Sequence, residues 1–127
     1  ACPISGYGCG VVFKLAPDGT ESTLYAFTGG NDGGQPSAGL IIDGAGNLYG
    51  TTQFGGSANC THGCGVVFEI SPDGTETTLH AFSGQDGNYP VARLTADGKK
   101  TFKHLYGVTS EGGASGHGTI FEIKLKA

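Results

Sequence analysis

The chain repeats itself at an offset of 55 residues, and this internal repeat constrains its fold more than any other feature. Residues 10–29 superimpose on 65–84 with fourteen of twenty positions identical, and the differences are mild, such as Leu15 for Ile70. A third start of the motif follows at 118–123. One unit of about 55 residues therefore occurs roughly two and a quarter times.

Alternation of apolar residues within the unit predicts four short β-strands. We expect them at 11–15, 23–27, 39–42 and 48–52 in the first copy and at 66–70, 78–82, 92–95 and 105–109 in the second. Pro-Asp-Gly at 17–19 and at 72–74 predicts a turn between the first two strands, because proline fixes its φ and glycine accepts a positive φ. In the first strand, Val11, Phe13 and Leu15 share one face.

Four short antiparallel strands repeated every 40 to 55 residues are typical of a β-propeller blade. The sequence thus predicts an all-β array of four-stranded, propeller-like blades that is incomplete as a single chain. Within this one array we expect a partial blade at 1–30, a complete blade at 36–84 and a second partial blade at 90–127.

The unit resembles the bacterial GloVer-type tandem repeat, named after Gloeobacter and Verrucomicrobia and found in secreted choice-of-anchor proteins. The segments that carry the resemblance are Gly10 to Leu15, Pro17 to Gly19, Glu21 to Phe27, Gly39 to Thr52 and Gly55-Gly56. They cover almost the whole chain. The resemblance implies export and a repeat-built β-structure, and it brings no catalytic residue. We therefore expect an extracellular or cell-surface location.

A ninth strand is predicted at 119–123, in the third start of the motif, whereas two blades need only eight. Blades that stay open leave unpaired backbone groups at their edges, and these recruit pairing partners. We expect a homo-oligomer or a head-to-tail filament, assembled through strands that carry Val11, Val12, Phe13, Thr119, Ile120, Phe121 and Ile123. The alternative is that the 127 residues belong to a longer repeat protein.

The four cysteines precede equivalent strands of the two copies. Cys2 and Cys9 precede the first strand of copy one, and Cys60 and Cys64 precede the same strand of copy two. An even count in equivalent loops predicts two local disulfides and an oxidising compartment. A zinc site that combines these thiols with His62 is the alternative.

Next to these cysteines, Asn59-Cys60-Thr61 fits the pattern of an N-glycosylation acceptor, which makes Asn59 a candidate glycosylation site.

Charge and hydropathy exclude two classes of partner. The net charge is −4, with most lysines near the end of the sequence, so the basic footprint of a nucleic-acid-binding protein is missing. No apolar stretch approaches the ~20 residues of a membrane-spanning helix, and we expect no membrane insertion.

Asp32, Asp86 and Asn88 lie in glycine-rich loops and are oxygen donors of the kind that Ca²⁺ binds, but turn formation explains them without a metal. We expect no cofactor.

These observations favour a non-catalytic structural or surface protein that assembles with itself. The alternative is a secreted lectin-like binding module for glycans, although the lack of tryptophan removes the largest aromatic platform for a sugar. A hydrolase or lyase would have to draw its acid or base from unrepeated residues such as Arg93, Glu111 or His104, and no motif positions them.

Overall fold

The computed structural model describes residues 8–126, and this part of the chain folds into antiparallel β-sheets. Its strands are β1 (Val11–Leu15), β2 (Glu21–Ala26), β3 (Ile41–Ile42), β4 (Leu48–Thr52), β5 (Val66–Ile70), β6 (Glu76–Ala81), β7 (Asn88–Pro90), β8 (Thr95–Ala96), β9 (His104–Glu111) and β10 (Thr119–Lys124). Residues 8–126 contain no helix, and hence none that could cross a membrane. The all-β prediction is confirmed.

The strands form three sheets, each built from one continuous stretch of sequence. The first sheet consists of β1 and β2. The middle sheet has the order β3-β4-β5-β6. The third has the order β10-β9-β7, and β8 pairs with the same strand β9. In the first and middle sheets neighbouring strands are consecutive in sequence, whereas in the third sheet β9 pairs both with β8 and with the earlier strand β7.

The predicted Pro-Asp-Gly turns are present in both copies. Gly19 and Gly74 have φ values of +90° and +89°, which favour glycine. The side chain of the preceding aspartate accepts a hydrogen bond from the backbone N–H two residues on, at 2.9 Å for Asp18 and 3.1 Å for Asp73. The backbone N–H of Ala16 donates to the carbonyl of Thr20, so that the β1–β2 ladder resumes at Glu21, two residues before the predicted start.

Of the predicted strand at 92–95, only Thr95 lies in a strand. In its place lie two shorter strands, Asn88–Pro90 and Thr95–Ala96, which pair with opposite ends of β9. The interruption follows Pro90, whose ring nitrogen has no proton to donate to a ladder. The corresponding strand of the first copy is correctly placed but is limited to Ile41–Ile42.

Two apolar clusters hold the sheets together, one on each side of the middle sheet. The first cluster lies between the first and middle sheets and contains the buried residues Cys9, Val12, Phe27, Val66, Phe68 and Ile70. The second lies between the middle and third sheets and contains Tyr49, Cys64, Val67, Phe82, Leu94 and Leu105. Strand β5 contributes to both clusters, so the middle sheet is covered on both faces.

Candidate assembly surfaces

The two apolar clusters are built from equivalent residues of successive repeats. Cys9, Val12 and Phe27 of the first sheet correspond to Cys64, Val67 and Phe82 of the middle sheet. On the opposing side, Phe68 and Ile70 of the middle sheet correspond to Phe121 and Ile123 of the third, which pack against the second cluster. Each interface thus joins two kinds of face. One is the Phe68-type face, which carries Phe68 or its equivalent Phe121, and the other is the Val67-type face, which carries Val67 or its equivalent Val12.

A Phe68-type face is exposed on the first sheet, and we call it the β1 face. It carries Val11, Phe13 and Leu15, which are exposed. Phe13 is 56% exposed, whereas its repeat equivalent Phe68 is completely buried under the first sheet. The alternation predicted for β1 is therefore correct, but in this sheet the buried residue is Val12, on the opposite face.

A Val67-type face is exposed on the third sheet, and we call it the β9–β10 face. It carries Tyr106, Val108 and Ile120, and Ile120 lies opposite Val108 in the ladder. Ile120 is 86% exposed, although its equivalent Val67 is fully buried in the second cluster. The third sheet therefore exposes the face that is buried as an interface in the middle sheet.

Strands β1 and β10 also lack half of the pairing of their equivalent β5. In the middle sheet β5 pairs with both β4 and β6. Within the described residues β1 pairs with β2 alone, and β10 pairs with β9 alone. One long edge of each strand thus presents N–H and C=O groups outside a ladder, which is the feature by which sheets recruit further strands.

The residues predicted to mediate assembly divide between the two sides of their strands. Val11, Phe13 and Ile120 are exposed. Val12 is buried in the first cluster, and in β10 the inward-facing residues are Thr119, Phe121 and Ile123. The prediction did not include Leu15, Tyr106 and Val108, which are also exposed on these two sheets.

Cys60 and Cys64 form the predicted disulfide, with Cα atoms 5.2 Å apart. Cys64 is fully buried in the second cluster, so the bridge anchors its loop to the core. Cys9 is also disulfide-bonded, while its predicted partner Cys2 lies outside the described residues, and that pairing stays a prediction. The bonded sulfur atoms of Cys60 and Cys64 are not free thiolates, which removes the basis of the zinc alternative with His62.

Asn59 lies beside this disulfide and is exposed. Its side-chain amide donates a hydrogen bond to the carbonyl of Ser83 at 3.2 Å. The position is accessible, and its glycosylation stays a prediction.

The acidic loop residues are occupied by hydrogen-bond donors of their own loops. Asp32 accepts from the backbone N–H and the hydroxyl of Thr28 at 3.0 and 2.6 Å and from the Tyr25 hydroxyl at 2.7 Å. Burial raises the pKa of Asp32, but the hydrogen bonds from Thr28 and Tyr25 outweigh it and hold the pKa below its usual value.

The second copy repeats this arrangement with a different aromatic donor. Asp86 accepts from the backbone N–H and the hydroxyl of Ser83 at 2.8 and 3.0 Å and contacts Nε2 of His80 at 2.7 Å. Across residues 8–126, no three or more His, Cys, Asp or Glu side chains converge on a point where they would hold a metal ion. Both aspartates act as turn residues in this structure.

The residues considered for catalysis have separate neighbours. His104 contacts Asp97 through Nδ1 at 2.7 Å, and Glu111 accepts a hydrogen bond from the side chain of Asn88 at 3.3 Å. Arg93 lies in a shallow groove that Ile41 and Phe102 also line. No contact in the described part of the chain brings these three side chains together.

The geometry defines a class of protein, an all-β tandem array in which one unit packs on the next through equivalent faces. A family model described as the Gloeobacter/Verrucomicrobia repeat matches residues 4–127. The chain therefore belongs to this repeat family, as the resemblance of its motifs predicted. No curated protein matches the chain.

Proposed function

We propose that this chain is a non-catalytic, extracellular structural protein that assembles with copies of itself. In this proposal its sheets are successive blades of a propeller-like array, and the first and third sheets are the sites of assembly. The single observation that carries the proposal is the exposure of apolar faces on these two sheets, which are buried in their repeat equivalents. Contiguous exposed apolar surface marks an interaction site in soluble proteins.

The open strand edges support the same conclusion. Among residues 8–126, β1 and β10 each have one of the two kinds of neighbour that pair with β5. Edge strands in natural sheets are covered or blunted, because they otherwise pair with other chains. A second copy supplies both apolar cover and further strands.

An extracellular location is supported by the Cys60–Cys64 disulfide, since disulfides form and persist in oxidising compartments. The carbohydrate-binding alternative stays a prediction from the repeat pattern.

Light scattering coupled to size-exclusion chromatography, followed by negative-stain electron microscopy, tests assembly directly. We expect particles larger than a single chain, whose mass grows with protein concentration. The variant Phe13→Lys places a charge in the β1 face and should shift the distribution toward the monomer. The matched variant Ile42→Lys changes an exposed residue of the middle sheet, 58% exposed, and should leave the particles unchanged. A monomer at all concentrations would refute the proposal.

A further inference from the structure

The two exposed faces are of opposite kinds, and this determines how two copies fit together. We propose that the β1 face of one copy packs on the β9–β10 face of the next, a contact that repeats the interfaces inside the chain. The inference rests on the proposed self-assembly and adds which surfaces meet.

Both internal interfaces have the same polarity along the chain. In each, the Val12 or Val67 side of one sheet covers the Phe68 or Phe121 side of the following sheet. Neither interface joins two faces of the same kind. A tandem array of this sort continues only by adding a Phe68-type face to a Val67-type face.

The chain leaves one face of each kind exposed. Val11, Phe13 and Leu15 on the first sheet occupy the positions of Val66, Phe68 and Ile70, which form one side of the first cluster. Ile120 and Tyr106 on the third sheet occupy the positions of Val67 and Tyr49, which belong to the second cluster. A second copy therefore presents the complement of each face, with side chains of nearly the same type.

The side chains on the two exposed faces also match in shape those of the interfaces inside the chain. Val67 is a β-branched residue that is buried beside Phe82 and Leu105, and Ile120 has the same branching with one more methylene. Phe68 fills its interface with an aromatic ring, and Phe13 offers that ring on the β1 face. Packing of existing faces requires no strand to leave its sheet, whereas exchange of β10 for a second copy's β1 would first break the β9–β10 ladder.

Such a contact is heterologous, because different surfaces of the two copies meet. Heterologous contacts produce rings when the rotation between copies closes and filaments when it does not. A two-fold dimer, by contrast, would bring β1 face to β1 face or β9–β10 face to β9–β10 face.

Thiol cross-linking distinguishes these arrangements. No cysteine among the described residues is free, so Val11→Cys and Ile120→Cys introduce reactive thiols at exposed positions, each tested with a short bismaleimide. We expect a cross-linked dimer only when the two single variants are mixed, and a ladder of multimers from the double variant. Ile42→Cys, mixed with either variant, is the matched control and should give only the background seen with the unsubstituted chain.

Every result decides between the two proposals. Cross-linking of Val11→Cys alone, or of Ile120→Cys alone, would show like faces meeting and would overturn this inference while self-assembly stands. If light scattering shows large particles but the mixture gives no cross-links, this inference is also overturned while self-assembly stands, and pairing of strand edges is favoured. A monomer by light scattering would refute the proposed function itself.

Discussion

Phe121 packs edge-on against Phe82, with ring centroids 5.0 Å apart and ring planes inclined at 67°. Phe68 meets Phe27 at the same centroid distance of 5.0 Å and at an angle of 66°. These pairs occupy equivalent positions in the two internal interfaces. The contact of one sheet with the next is therefore reproduced at the level of single rings, and its geometry is a property of the repeat unit.

Truncation of Phe82 to alanine should strongly destabilise the fold. The Phe82 side chain is 1% exposed and contacts Phe121 and His80 edge-on. Removal of a buried phenylalanine costs roughly 3–5 kcal/mol in free energy of unfolding, because it leaves a cavity. Urea denaturation followed by circular dichroism measures the loss. The exposed control Ile42→Ala should change stability by less than about 0.5 kcal/mol; similar losses for both variants would contradict the assigned packing.

Replacement of Thr51 by valine should stabilise the protein. The Thr51 hydroxyl is buried without a hydrogen-bond partner among the described residues, and its repeat equivalent is Val108. Removal of an unsatisfied buried hydroxyl should raise the free energy of unfolding by about 1 kcal/mol.

The neighbouring Thr52 provides the matched control for Thr51. Its hydroxyl donates to the carbonyl of Phe54 at 2.8 Å and accepts from the backbone N–H of Val66 at 3.2 Å. Thr52→Val should therefore lower the midpoint of thermal unfolding, whereas Thr51→Val should raise it. Shifts in the same direction for both variants would exclude this explanation.

Substitution of Gly50 by alanine should disrupt the first cluster. A Cβ atom at this position would lie 2.7 Å from Leu40 and 2.8 Å from the ring of Phe68. Such overpacking typically costs about 1–3 kcal/mol. The matched variant Gly39→Ala meets only the flexible side chain of Arg93, at 3.4 Å, and should cost less. Calorimetric melting of the two variants compares them, and an equal decrease in Tm would argue against the close approach at Gly50.

Asp97 should stay ionised at an unusually low pH. The His104 ring and the backbone N–H groups of Lys103 and His104 hold its pKa at about 2, below the ordinary value of 3.8. Because the folded-state pKa is the lower one, the stabilisation is present above pH 4 and is lost as the pH falls toward 2. Carboxyl chemical shifts measured by NMR during an acid titration give the pKa.

The variant His104→Ala removes the ring donor and should raise the pKa of Asp97 toward its ordinary value. The exposed control His117→Ala should leave that pKa unchanged. If His104→Ala also leaves it unchanged, the backbone donors alone account for the low pKa.

Much of the local structure was predictable because the repeat carries strong signals. Alternation in β1 and β5 and the Pro-Asp-Gly turns fix two strands of each unit, since proline and glycine restrict the backbone at the turn. The split around 91–94 was not predictable from alternation, because Pro90 ends the pairing there while the apolar pattern continues.

The assembly surfaces were predictable only in part. The sequence pattern of Val11, Val12 and Phe13 is identical to that of Val66, Val67 and Phe68, so sequence alone does not separate exposed from buried copies. The exposure of a β1 residue depends on whether another sheet covers it, which is a property of its position in the array. The repeat comparison identifies the faces, and the structure identifies which copies are uncovered.

The middle sheet, covered on both faces, has a consequence for chains of different length. In a nearest-neighbour description each unit contributes an intrinsic folding term, and each junction contributes a coupling term. A chain with one more copy of residues 30–84 gains one unit and one junction, so its unfolding should become more cooperative and its dependence on denaturant steeper. Stability in this family is thus expected to be set by the number of consecutive units, in the manner of a one-dimensional lattice with weak ends.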